Sequence, residues 1–109
     1  MMDDSAKDRD RLLQIARAFL NCEISMLEAA YKLSPIMRRH PELASGDDFR
    51  FIVGIDSETD DLPVGPVRKL WDEDALREKD REIERCEKIW GAEFREICER
   101  ILLRSQSVQ

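Results

Sequence analysis

Residues 71–104, WDEDALREKDREIERCEKIWGAEFREICERILLR, decide the fold. Within them Leu76, Ile83, Trp90 and Ile97 recur every seven residues, and Cys86, Phe94, Cys98 and Ile101 fall three or four residues from members of that series. This spacing predicts a long α-helix with a single apolar stripe. Asp72 is the expected N-cap, and Glu73 and Asp74 put negative charge at the positive end of the helix dipole. Glu73 with Arg77, Glu84 with Lys88 and Glu96 with Arg100 are spaced i,i+4 with the acid first, the favoured order. Such pairs contribute about 0.2–0.5 kcal/mol each, so packing of the stripe has to hold the helix.

Unbroken to Arg104, the helix would be roughly 50 Å long at about 1.5 Å per residue, longer than a compact body of this size, whose radius of gyration should be near 13 Å. Either Gly91 marks a bend or a close helix contact, or the poorly apolar first turns, EDALREKDRE, project from the body. One helix with a poorly buried start is the reading adopted. A coiled-coil homodimer is the alternative, but Glu93 and Arg100 continue the row begun by Cys86, so the companion core position is not sustained.

With 109 residues the chain makes one domain, 1–109, with one modest core. A charged fraction of 39% is high, yet 42% hydrophobic residues with clear periodicity argue for a folded, mainly α domain. No apolar run approaches the ~20 residues that span a bilayer, so no membrane association is expected. MMDDSAKDRDR is too charged for a signal peptide, which makes a cytoplasmic protein the expectation. Cys22, Cys86 and Cys98 are odd in number and lack CxxC spacing; they are expected to be thiols in a reducing compartment.

The net charge of −6 is concentrated. Residues 1–46 balance seven acids against seven bases, and 63–109 hold eleven acids against ten bases. Residues 47–62 hold Asp47, Asp48, Asp56, Glu58, Asp60 and Asp61 against Arg50 alone, leaving −5. Phosphate binding needs a basic face, so nucleic acid is not an expected partner.

Two helices precede this stretch. The first is expected from Ser5 to Leu20, with Leu12, Leu13, Ile15, Ala16, Phe19 and Leu20 inward and Asn21 as its stop. Ser25-Met-Leu-Glu28 is a capping box that starts the second. Leu27, Ala30, Tyr31 and Leu33 form its expected inner face, and Pro35 is expected to kink or end it. Residues 47–55 are ambiguous: Phe49, Phe51, Val53 and Ile55 alternate as in a strand, while Phe49, Ile52 and Val53 fit a helix started by Asp47 or Asp48. No segment offers a partner strand, so a short helix is expected.

Beyond Ile55 the chain is expected to leave regular structure in an acidic loop, with a capping-box-like Ser57-Glu-Thr-Asp60 and helix excluded by Pro63, Gly65 and Pro66. IDSETD, then LP, a glycine, a tryptophan and AL..KD.EI at the start of a charged helix, resembles a group of short bacterial proteins without an assigned activity. The resemblance covers about Ile55 to Ile83, with ISMLEAA near Ile24 in support. It implies a self-contained family domain and supplies no catalytic residues.

Asp56, Glu58, Asp60 and Asp61 alternate somewhat like the first ligands of a calcium loop, but the sixth loop position lacks glycine and Val67 stands where the twelfth-position acid belongs. Capping, turn formation and pairing with Arg68 or Lys69 are the expected local uses, and no metal or other cofactor is expected. His40, the only histidine, is expected in a solvated loop beside Pro41. There is no phosphate loop, GxSxG elbow or zinc spacing, so the reading leans away from an enzyme. Trp90 is expected in the core. Trp71 is expected to pack over Leu62 or Val64, while an exposed Trp71 would make a binding anchor.

The function expected is protein binding, with Asp56, Glu58, Asp60, Asp61, Arg68 and Trp71 presented to an unidentified, basic partner, as in an inhibitor or immunity-type protein. The alternatives are a cation-dependent or carboxylate-based enzyme, which requires a concave site around these acids, and a helical homodimer. Binding by the loop would instead suit a flat or convex acidic surface with exposed apolar residues beside it.

Overall fold

A computed structural model describes residues 4–62 and 65–107. Four α-helices follow one another: α1 (Asp4–Leu20), α2 (Met26–Arg39), α3 (Gly46–Glu58) and α4 (Glu73–Ser107). Short 3-10 segments, Pro41–Leu43 and Gly65–Leu70, lie in the connections, and no strand occurs among the described residues.

Each boundary has a local cause. At the end of α1 the Glu23 N–H donates to the Ala18 carbonyl at 2.8 Å and the Cys22 N–H to the Phe19 carbonyl at 3.0 Å. These two bonds make a Schellman motif, and its left-handed residue is Cys22, at φ 61°, one position beyond the Asn21 stop read from the sequence. Ser25 starts α2 as expected, its Oγ accepting from the Glu28 N–H at 3.2 Å. Glu28 itself pairs forward with Lys32 at 3.6 Å.

Pro35, expected to kink or end α2, does not end it: the helix continues one turn further to Arg39. The hydrogen bond that proline cannot donate would go to the carbonyl of Tyr31, and both residues lie on the solvent side, where the loss is least costly. This placement also corrects Tyr31, which is 61% exposed instead of facing inward.

The ambiguous segment is helical, but its N-cap is Ser45, whose Oγ accepts from the Asp48 N–H at 3.1 Å. Asp48 is thereby free for a tertiary role. It is buried and accepts two hydrogen bonds from the Arg100 guanidinium, at 2.9 and 3.2 Å, tying the start of α3 to α4. The bond to Asp48 raises the Arg100 pKa further above its ordinary value.

α3 runs on to Glu58, so Asp56, Ser57 and Glu58 form its last turn and do not belong to a loop. Thr59 is the C-cap; its hydroxyl donates to the Ile55 carbonyl at 2.6 Å. The Ser57–Asp60 spacing therefore ends one helix and starts none. Gly65–Leu70 is 3-10 helical despite Pro66, which stands second in the segment, where a missing donor is tolerated. Pro63 and Val64 lie outside the described residues.

The Asp72 carbonyl accepts from the Leu76 N–H at 2.9 Å, which makes Asp72 the residue that opens α4. The helix is 35 residues long and passes unbroken through Gly91. A Cβ added there would meet nothing within 4 Å, so the glycine does not serve a close helix contact. Of the three expected i,i+4 pairs, Glu96 reaches Arg100 at 4.0 Å, whereas Arg77 turns to Asp74 at 3.6 Å.

α2 is the central element. Met26, Leu27, Ala29, Ala30, Leu33, Ile36 and Met37 are buried on it, between α1 on one side and α3 on the other, and α1 in turn packs along α4. Only the second half of α4 enters the core, through Phe94, Ile97, Cys98 and Ile101, with Ile83, Cys86 and Trp90 packed on the margin. The Phe94 ring meets Phe19 of α1 edge to face, with centroids 4.8 Å apart. The poorly buried start read from the sequence is present, and the long helix sets a longest dimension of 49 Å against 31 and 23 Å across. Ion pairs tether that start: Asp61 with Lys79 at 3.4 Å and Arg68 with Asp80 at 2.9 Å.

Candidate functional site

The first turns of α2 and the last turn of α3 meet around one cleft, with Thr59, Asp60, Leu62 and Val67 beside them. The cleft, of about 470 Å³, is lined by Leu27, Tyr31, Asp56, Thr59, Asp60, Leu62 and Val67. Leu27, Thr59 and Leu62 are buried and make its floor. Tyr31 and Val67 are largely exposed and stand as walls, at 61% and 45%. Asp56 and Asp60 supply the charge.

The cleft is electrostatically one-sided. The negative end of the α3 dipole points into this region, the last turn of α3 contains no basic residue, and Asp56 and Glu58 add two carboxylates there. Asp56, Glu58 and Asp60 form no ion pair with any described residue.

Of the six residues expected to form one binding surface, Asp56 and Asp60 line the cleft. Glu58 is exposed on the same turn, outside it. Asp61 and Arg68 are engaged with α4, so the expected pairing of the acids with Arg68 or Lys69 is replaced by Asp61 with Lys79 and Arg68 with Asp80. Trp71 is half-buried and, among the described residues, is not packed on the core, in contrast to Trp90. Sequence reasoning missed Leu27, Tyr31 and Thr59 as members of the site. Tyr31 had a local signal, since it lies on the same side of α2 as Pro35, four residues later; the other two are brought in only by tertiary packing.

Two carboxylates and a phenol over an apolar floor can hold a cation that carries an apolar stem. The Thr59 hydroxyl is already committed to the Ile55 carbonyl, and no cysteine, histidine or lysine lines the cleft. Among the described residues no three Asp, Glu, His or Cys side chains converge as metal ligands.

The other titratable clusters serve the fold. His40, expected in solvent, has a side chain only 18% exposed, with Nε2 2.7 Å from Asp8 of α1. Arg39 reaches the same carboxylate at 3.0 and 3.2 Å. The Arg39 guanidinium holds the Asp8 carboxyl below its ordinary pKa; burial opposes this and His40 adds to it. Cys98 is buried, which pushes its thiol up to about 12, and burial likewise raises Cys86. A smaller cleft of about 210 Å³ lies between Arg9 and Arg104 over Leu12, Leu13 and Ile101. No helix among the described residues is long and apolar enough to cross a membrane.

No protein-family model, curated protein sequence or solved structure matches this chain.

Proposed function

We propose that the protein is a small binding domain whose acidic end of α3, with the turn that follows, receives a basic protein partner. The observation that carries this reading is that Asp56, Glu58 and Asp60, gathered at the negative end of a helix, form no ion pair with any described residue. Such a field steers a cationic surface toward it and speeds association. Exposed Tyr31 and Val67 beside the acids supply apolar contact. An inhibitor or immunity-type protein that masks a cationic toxin or nuclease is the specific version. The resemblance of residues 55–83 to bacterial proteins supports a bacterial setting, and three free thiols suit the reducing cytoplasm.

The test is capture from a bacterial lysate with the protein and with a variant carrying Asp56→Asn, Glu58→Gln, Asp60→Asn and Asp61→Asn. A basic protein held by the unaltered chain and released by the variant is the expected result. Equal retention by both would remove the acids from the interface.

A second reading, a carboxylate-based enzyme, is favoured by one observation: the surface around Asp56 and Asp60 is concave, where the binding reading had led us to expect a flat or convex one. Against it stands the composition of the cleft, which offers two carboxylates but no histidine, cysteine or lysine to share the work, with the Thr59 hydroxyl committed to the Ile55 carbonyl.

A further inference from the structure

We propose that the cleft between α2 and α3 seats one arginine side chain of the partner protein. The inference deepens the reading above and rests on it. A volume of about 470 Å³ lies within the roughly 300–1,000 Å³ typical of ligand sites, and a mainly apolar lining with a few polar groups is their usual composition. Leu27 and Leu62 offer a floor for a methylene stem. Asp56 and Asp60 offer carboxylates that no described cation occupies, and the end of α3 adds its partial negative charge.

Arginine fits this combination better than lysine. Its planar guanidinium has five N–H donors and can bond two carboxylates at once, and it is more weakly hydrated than an ammonium. The exposed Tyr31 ring, a wall of the same cleft, gives that plane a face on which to stack. A buried arginine surrounded by exposed apolar contacts is also the usual form of an interface anchor.

The experiment is an NMR titration of the full chain, labelled with nitrogen-15, with capped tripeptides Ac-Ala-Arg-Ala-NH2, its lysine analogue and its citrulline analogue. The arginine peptide should shift the amides of Leu27, Tyr31, Thr59, Leu62 and Val67. Citrulline has nearly the same shape without the charge and should bind at least about tenfold more weakly, the step expected for losing charge-assisted hydrogen bonds. Asp60→Asn and Tyr31→Ala, both at exposed positions, should weaken the arginine peptide, whereas Asp61→Asn, outside the cleft, should not. Equal shifts with arginine and citrulline, or an effect of Asp61→Asn as large as that of Asp60→Asn, would overturn the seat. If the titration fails while lysate capture remains dependent on the acids, the arginine seat falls and the acidic interface stands. If the arginine peptide enters the cleft as described but neither chain captures a partner, the seat stands and the protein-partner reading falls.

Discussion

Cys22 holds a backbone angle that its own side chain disfavours. At φ 61° an L-residue brings its Cβ close to the following carbonyl, at a cost of roughly 1–2 kcal/mol that glycine escapes. Cys22→Gly should therefore raise stability by about 1 kcal/mol in urea denaturation. An unchanged midpoint would mean that the cysteine is not strained there. Asp8 gives a second residue-scale expectation. Its folded pKa is depressed below 3.8, so the stability it lends is present above that value and lost as pH falls through the folded pKa. The gap in stability between the unaltered protein and Asp8→Asn should be widest near neutral pH and close below about pH 4. A gap independent of pH would place its cause elsewhere than in the charge. Ser25 was legible because its side chain acts on its own neighbours inside a capping-box spacing; Ser45 does the same for α3 but lies before two aspartates that are equally good caps. The sequence was read poorly where the partner is distant: Asp48 looked like a cap until Arg100, 52 residues on, came to meet it.

At the scale of elements, the apolar period of α4 was legible because seven-residue recurrence leaves no other regular structure to choose. Its length was legible for the same reason. A close contact at Gly91 stayed open beside the poorly buried start, because a glycine in the sequence does not show whether its missing Cβ leaves room for a neighbour. With nothing within 4 Å of that position, Gly91→Ala should stabilise the protein by about 1 kcal/mol, with the helix content by circular dichroism unchanged or slightly raised. Destabilisation would reveal a close approach at that turn. Pro35 does not end α2 because proline's cost depends on which carbonyl loses its donor, and here that carbonyl is on the wet side of the helix. Residues 47–55 were resolved toward helix by the lack of a partner strand, an argument about hydrogen bonds instead of propensity, and the helical outcome follows it. The end of α3 was set three residues too early, which turned its last acids into a loop.

For the whole molecule, the sequence revealed how much charge residues 47–62 carry, but not that α2 and α3 would enclose a cleft beside it. The cleft needs Leu27 and Thr59, 32 positions apart, to share one floor, and no local pattern encodes that. Lys79 and Arg68 tether the start of α4, and among the described residues Asp56, Glu58 and Asp60 form no ion pair. Carboxylates at the negative end of a helix oppose its dipole, by typically 0.3–1 kcal/mol each at low ionic strength. On the proposed function these three acids serve a partner and work against the fold, the pattern of a functional site maintained at some cost in stability. The measurement that tests it most directly is urea denaturation, at low salt, of the variant Asp56→Asn, Glu58→Gln, Asp60→Asn beside the unaltered protein. The variant should be more stable by about 1 kcal/mol or more, with the gain shrinking as salt screens the repulsion. A variant less stable than the unaltered protein would show that the acids hold the fold together, and would contradict the claim.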